Sequence, residues 1–547
     1  MNQQLKPAPW QSLYTPGVDS DLKAPDETTL DMFLASVERS PEAPALHYFG
    51  RTVDRADLAT LSGRIATVLQ RDGVGAGDRV AVSLQNTPLF PATVLAVWAL
   101  GASIVPINPM LRPDELAPML ADSGARAMIA HPAMYDVIVE VRGRLDYRLS
   151  CWWSDPSDLA GALPLPFPGE HPVGEGETFL LPACAQVDED FTWVRPKPSD
   201  VALLTYTSGT TGPSKGAIST HSNVAFQALN YTQWFACGEK TSVLTVAPLF
   251  HITGLGTHLA LALAGGFPLV MTYRFEPTTM LTLIEVYEPS FAIGAITAFI
   301  SMLDSDPDSG AILSLISTIY SGGAPVPSQV VERFEAATSR YIHNIYGLTE
   351  TTSACIGVPL GSIAPVDEGS GALSVGVPMG GTTVTIVGDD GLPVPAGSQG
   401  EIVVAGPQVA AGYWNKADET TEAFRPDGMY TGDVGVMDEQ GWVYVVDRKK
   451  DLVVVSGYKV WPRDVEDVLY RHPAVREAAV VGKPDDYRGE TLHAFISVRA
   501  GQTVTQEELK AWCRELLSAY KVPTEYFFVE ELPKTPTGKI LRRSLRG

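Results

Sequence analysis

Apolar and polar positions along the chain switch repeatedly between a helical and a strand period. Leu58, Leu61, Ile65, Val68 and Leu69 recur at helical spacing behind Asp54, whose carboxylate can cap the first turn. Gly73 and Gly77 close that helix, and Arg79-Val80-Ala81-Val82-Ser83-Leu84 then reads as a buried strand. The same alternation continues for most of the length, which predicts an α/β architecture rather than a helical bundle or a β-sandwich. Between Asp155 and Asp200 the pattern lapses into a segment with eight prolines, too rich in turn formers for a continuous core element. That segment is expected to cross the surface before a strand at Val201-Ala202-Leu203-Leu204.

A second change follows Asp447, where Arg448-Lys449-Lys450 interrupts the pattern and a compact α+β unit of about a hundred residues begins. Residues 478–482, 492–498 and 526–529 read as its strands. Thr505 with Glu508 forms a capping box, opening a helix that sets Leu509, Trp512, Cys513, Leu516, Leu517 and Tyr520 on one stripe before Pro523. The longest apolar stretches, 90–107 and 259–271, are broken by Pro, Thr, Ser or Gly and fall short of the roughly 20 apolar residues of a membrane span. They are expected to pack in a core. No internal repeat or low-complexity tract is visible.

Composition narrows the class. At roughly 150 residues per domain, 547 residues make three to four domain-sized units, and 45% hydrophobic with 19% charged content excludes wholesale disorder. The formal charge of −23 repels phosphate backbones and anionic membrane surfaces, so nucleic acid is not an expected partner. Five cysteines, at 151, 184, 237, 355 and 513, show no C-x-x-C pair or zinc-like spacing and read as reduced thiols of a cytoplasmic protein. The start, Met1-Asn2-Gln3-Gln4-Leu5-Lys6-Pro7, lacks the basic and apolar regions of a secretory signal.

Chemistry is densest in Tyr206-Thr207-Ser208-Gly209-Thr210-Thr211-Gly212-Pro213-Ser214-Lys215-Gly216. Small residues let successive backbone N–H groups converge on an anion, hydroxyls add donors, and Lys215 supplies compensating charge. This is a phosphate loop by composition. A Walker A loop needs glycine immediately before the lysine, and Ser214 stands there instead.

The loop resembles the signature of the adenylate-forming superfamily, which holds acyl-CoA synthetases, luciferases and the adenylation domains of peptide synthetases. The resemblance recurs in the family's order at Ala247-Pro248-Leu249-Phe250-His251, Gly322-Gly323-Ala324-Pro325, Tyr346-Gly347-Leu348-Thr349-Glu350, Tyr430-Thr431-Gly432-Asp433, Asp447-Arg448-Lys449-Lys450 and Pro533-Lys534-Thr535-Pro536-Thr537-Gly538-Lys539. It implies a large, multi-subdomain N-terminal adenylation platform at 1–448, a hinge at 449–450, and a small mobile α+β C-terminal cap at 451–547. The implied reaction activates a carboxylate with ATP and passes the acyl group to CoA. Its barrier is largely electrostatic, because an anion must approach the α-phosphate of a tetra-anion.

The resemblance also implies roles. Thr207, Ser208, Gly209, Thr210, Thr211, Gly212 and Lys215 would hold the β- and γ-phosphates. Tyr346 and Gly347 would wall the adenine, with Gly323, Ala324 and Pro325 between adenine and acyl pocket. Thr349 would lie near the α-phosphate and, with Glu350, contact Mg²⁺, a hard cation that prefers oxygen ligands. Asp433 would accept from the ribose hydroxyls and Arg448 would brace the same sugar. His251 would line the acyl and thiol entrance; no Gly-x-Ser-x-Gly surrounds it, so hydrolase chemistry is not supported. Lys539 would bridge carboxylate and phosphate during adenylation. Lys450 is the hinge position, about which the cap would turn to bring Ser456, Gly457 and Tyr458 to a thiol tunnel.

The acyl pocket is expected from Phe226 to Tyr231, His251 to Gly256, Ile296 to Ile300, Gly322 to Ala324 and Thr351 to Gly357. These are mainly apolar or small, without an Arg or Lys for a second carboxylate or an amino-acid head. The leading expectation is a fatty-acid-type acyl-CoA synthetase, monomeric or homodimeric. Alternatives are an aryl or arylalkanoic acid CoA ligase, an acyl-AMP ligase loading a carrier protein, and a catalytically weak acyl-adenylate-binding regulatory protein.

Overall fold

The computed structural model describes residues 8–163, 171–187, 191–207, 214–324, 326–368, 371–448, 451–456, 458–485, 488–535 and 539–546. Asp54 caps the helix Arg55–Arg71 by accepting the Asp57 N–H at 2.7 Å, and the next strand is Arg79–Ser83. That strand lies inside a seven-stranded sheet ordered 178–179, 150–153, 127–130, 79–83, 103–106, 201–206, 216–220. All its neighbours are parallel except the last two, which form an antiparallel hairpin. A nine-stranded sheet runs 377–378, 353–357, 342–348, 318–322, 291–294, 243–244, 269–271, 44–48, 51–54, parallel through its middle and antiparallel at both edges.

The apolar stretches are core. Residues 90–107 divide into the helix Leu89–Ala99, buried at every position, and the buried strand Ser103–Pro106. Residues 259–271 carry the end of a π-helical turn, a short helix and the buried strand Leu269–Met271. Among the described residues no helix is long and apolar enough to cross a membrane. Among its described residues the proline-rich segment holds only the strand Thr178–Phe179 and the helix Leu180–Cys184. All five cysteines carry free thiols.

A third, antiparallel sheet is built from 383–387, 399–405, 428–437, 424–425 and 443–448. The last hundred residues then form a separate small α+β domain with its own core, from Val453 to Tyr526. Its central hairpin is Val475–Asp485 with Gly489–Val498, and the helix Gln506–Leu516 begins in the Thr505–Glu508 capping box. The chain is therefore a mixed α/β molecule with a large N-terminal part and a small C-terminal cap.

Candidate active site

The third sheet sets Asp433 directly opposite Arg448 in the antiparallel register of 428–437 with 443–448. The Arg448 Nε lies 3.3 Å from one Asp433 carboxylate oxygen, and the Tyr346 hydroxyl donates to the other at 2.7 Å. Asp433 is 4% exposed, and this burial raises its pKa against the opposing pull of Arg448. Tyr346 stands near the end of the strand Ile342–Leu348, where Gly347 meets the backbone of Ser353 and Ala354 too closely for any side chain. One carboxylate, one guanidinium and one phenol thus converge from two sheets.

Thr349 and Glu350 occupy the 3₁₀ turn that follows this strand. A Glu350 carboxylate oxygen accepts from the Tyr413 hydroxyl at 2.7 Å, and the Glu350 carbonyl accepts the Ala410 N–H at 2.8 Å. The Lys215 ammonium sits over the Tyr413 ring, 4.9 Å from its centroid. Thr207 donates its N–H to the Lys215 carbonyl at 2.9 Å, so the two ends of the glycine-rich loop are tied together. The loop joins the two strands of a hairpin, Val201–Tyr206 and Gly216–Thr220. Ser208, Gly209, Thr210, Thr211 and Gly212 lie outside the described residues, as do Pro325, Lys450 and Gly457.

Lys539 enters this cluster from the cap. A β-carbon on Gly323, whose φ is +79°, would meet the lysine Cε at 2.9 Å, and Ala324 follows on the same turn. Burial, then the neighbouring Arg448 charge, lower the lysine pKa to about 8, while Asp433 and Glu350 hold it up. The Lys539 N–H bonds the Thr535 hydroxyl at 3.0 Å and the Thr535 N–H returns to the Lys539 carbonyl at 2.7 Å, fixing the turn that carries it. Asp447 secures this pose of the cap. One of its oxygens lies 3.1 Å from the Arg542 guanidinium, the other accepts the Arg463 N–H at 3.1 Å, and Arg542 also pairs with Glu466 and Asp451.

His251 is drawn down to about 3 by burial and by the Lys539 charge, so its imidazole is neutral near pH 7. Its Nδ1 accepts the Thr253 N–H at 3.3 Å. Asn86, which local pattern does not mark, and Gln227, expected only as acyl lining, hold the surroundings. Asn86 donates to the Thr245 and Ala247 carbonyls and accepts the Leu249 N–H at 2.7 Å, stitching the seven-stranded sheet to the approach to His251. Gln227 donates to the carbonyls of Thr351, Thr352 and Ala354, pinning a turn in which Thr352 and Ser353 take φ of +48° and +87°. Tyr413, beside Glu350, is likewise unmarked by local pattern.

The expected acyl lining is revised in part. Phe226, Tyr231 and Phe299 are fully buried in the core, because their helices turn them toward neighbouring sheet and loop backbone, so they back the site rather than line it. Ala298 and Ile300 keep partial exposure. Ser456 and Tyr458 are exposed on the cap, with Tyr458 stacked on Tyr520 at 4.6 Å between ring centroids. No hydrogen bond among the described residues joins them to Asp433, Glu350, His251 or Lys539.

Residues 33–414 match the family model described as AMP-binding enzyme, and residues 464–539 match the AMP-binding enzyme C-terminal domain. The chain belongs to the AMP-binding enzyme family. A long-chain-fatty-acid–CoA ligase of Bacillus subtilis is 32% identical over 556 residues, 98% of this chain and 97% of that protein. A feruloyl-CoA synthase of an Amycolatopsis species is 34% identical over 507 residues, covering 93% and 96%. The solved structure of an anthranilate CoA ligase in complex with anthranoyl-AMP superposes with a TM-score of 0.85 at 26% identity, covering 95% of this chain and 97% of that one. The two matched stretches thus include Tyr346 on the platform and Lys539 on the cap, while Asp433 and Arg448 lie in the segment between them.

Proposed function

We propose that this protein is an AMP-forming acid–CoA ligase that takes a fatty-acid-like monocarboxylate, ATP and CoA to acyl-CoA, AMP and pyrophosphate. The observation that carries the reading is Lys539 standing over Gly323 among Asp433, Arg448 and Glu350, so that a cation from the cap meets a nucleotide-shaped set of donors and acceptors on the platform. In the first half-reaction Asp433 and Arg448 hold the ribose, Tyr346 flanks the adenine, Lys215 and the glycine-rich loop hold the outer phosphates, and Lys539 draws the substrate carboxylate onto the α-phosphate. The carboxylate oxygen bonds to phosphorus as the bond to pyrophosphate breaks. No proton need move in that step, which suits a site whose histidine is neutral. In the second half-reaction the thiol sulfur of CoA bonds to the acyl carbon as the bond to AMP breaks and the thiol proton is released to solvent, with the cap turned about Lys450 to present Ser456, Gly457 and Tyr458.

The donor set also fits Mg²⁺ carried in by the nucleotide. Glu350 and Thr349 offer hard oxygens, and among the described residues no three His, Cys, Asp or Glu side chains gather as a metal cage of their own. Glu350, with Thr349 beside it, would hold the ion, which supplies charge neutralisation on the phosphates.

A second reading, an aryl or arylalkanoic acid as substrate, is favoured by the similarity to a feruloyl-CoA synthase. Pyrophosphate release across a panel of fatty and aromatic acids, with and without CoA, tests both readings. Release that needs an acid, and acyl-CoA formation only with CoA, is the expected result; release without CoA and no acyl-CoA would instead favour a ligase loading a carrier protein. A cytoplasmic monomer or homodimer acting on small molecules is the setting consistent with this chemistry.

A further inference from the structure

Tyr413 lies outside every motif singled out above, yet it touches two of the groups on which the proposed reaction depends. Its hydroxyl donates to a Glu350 carboxylate oxygen at 2.7 Å, and its ring face carries the Lys215 ammonium at 4.9 Å. Its own position is over-determined. The Tyr413 N–H bonds the Thr420 hydroxyl at 2.9 Å, its backbone bridges to Ala217, and the edge of Phe424 packs on the ring at 5.2 Å. The Trp414 N–H reaches the Gly216 carbonyl and the Ala410 N–H reaches the Glu350 carbonyl, each at 2.8 Å, so one short segment is pinned to both the phosphate loop and the turn bearing Glu350.

Elementary electrostatics says why such a spacer matters. An ammonium and a carboxylate facing one cleft attract, and a direct ion pair between them would have to break before either could meet a nucleotide. A phenol ring resolves this conflict because its face attracts the cation while its hydroxyl satisfies the anion. We propose that Tyr413 is a positioning residue that holds Lys215 and Glu350 apart and pre-aimed, so that the β- and γ-phosphates and their Mg²⁺ enter a ready-made site. The inference rests on the reading of Lys215 as a phosphate contact and Glu350 as the metal contact.

The test is calorimetric binding rather than turnover. Mg²⁺ with α,β-methylene-ATP is titrated into the full-length protein and into Tyr413→Phe, Tyr413→Leu, Glu350→Gln and Lys215→Ala, with AMP as the control that has no outer phosphates. Tyr413→Phe keeps the ring and loses the hydroxyl, so its affinity for the Mg²⁺ complex should fall about 10-fold or more, as for lost partners of metal ligands, with AMP affinity unmoved. Tyr413→Leu also frees Lys215 and should weaken the analogue further. Unchanged analogue affinity in Tyr413→Phe, with Glu350→Gln and Lys215→Ala impaired, overturns the inference alone. An equal loss of AMP and analogue binding overturns it as well, since it would mark general damage. If Glu350→Gln and Lys215→Ala themselves bind the analogue normally, the reading of those two residues fails and the inference falls with it.

Discussion

Gly323 lies so close to Lys539 that a methyl group on the glycine would stand 2.9 Å from the lysine Cε. The glycine also holds a φ of +79°, which costs an L-residue about 1–2 kcal/mol. Gly323→Ala should therefore push the lysine from its place and slow adenylation about 10-fold, corresponding to about 1.4 kcal/mol. Thioester formation from supplied acyl-adenylate should be spared, because in the proposed mechanism Lys539 acts only in the first half-reaction. Stopped assays of the two half-reactions check this, and equal losses would disprove it.

Removing the lysine itself should cost adenylation about 10²-fold, the scale of one preorganised electrostatic contact. Its depressed pKa adds a pH signature. The free enzyme's ammonium is complete below about 8 and is lost as pH rises through that value, so kcat/KM for ATP should decline on the alkaline side. Lys539→Arg keeps its charge throughout and should lose that decline, whatever its absolute rate. A pH profile of pyrophosphate release distinguishes the unaltered protein, which should show the decline, from Lys539→Arg, which should not.

Asp447 joins platform to cap through the Arg542 guanidinium and the Arg463 N–H. Asp447→Asn keeps the shape and removes the charge, so the present cap pose should lose about 2 kcal/mol, the worth of a hydrogen bond to an ionised group. That shifts the pose equilibrium roughly 30-fold. Small-angle scattering should show a more extended particle, and adenylation should fall more than thioester formation. A particle of unchanged dimensions would show that the cap is held elsewhere.

Gln227→Leu leaves the Thr351 and Thr352 carbonyls without their amide donor beside two strained backbone angles. The expected loss is about 1–3 kcal/mol, read as an earlier urea midpoint by tryptophan fluorescence. Adenylation should fall too, because the same turn carries Thr349 and Glu350. An unshifted midpoint would mean that the turn holds itself.

Much of this was legible along the chain where the cause is local. Asp54 and Thr505 cap helices because a carboxylate or hydroxyl reaches N–H groups three residues on, and nothing distant is needed. Edges were less legible. The strand expected at 478–482 runs from Val475 to Asp485, since its polar ends pair with Gly489–Val498 beyond the apolar core. Leu516 was expected on the buried stripe and is 45% exposed, because the chain leaves the helix at Leu517, which packs on the cap core instead.

At the site, the motifs pointed to Tyr346, Asp433, Arg448 and Lys539, and the structure gathers these side chains into one cluster. Asn86, Tyr413 and the bracing role of Gln227, expected only as acyl lining, escaped notice for one reason: each bonds to groups dozens to more than a hundred residues away, so no spacing along the chain can reveal it. Gln227 did carry a faint signal, an amide in the middle of a helix otherwise buried on most sides. Such a group must find partners or pay in desolvation.

The cross-strand pair at the end of the platform has a thermodynamic corollary. Arg448 pairs with Asp433, the carboxylate proposed to hold the ribose, while its chain neighbour Asp447 pairs with Arg542 of the cap. Two consecutive residues therefore report to opposite masters, and on the proposed reading a nucleotide that steadies Arg448 would act on Asp447 beside it. Linkage would make this reciprocal: any factor by which bound AMP favoured the closed cap would be the factor by which closure tightened AMP. On that reading nucleotide retention and cap position would form one equilibrium read at two ends, and departure of the product would be felt by the cap.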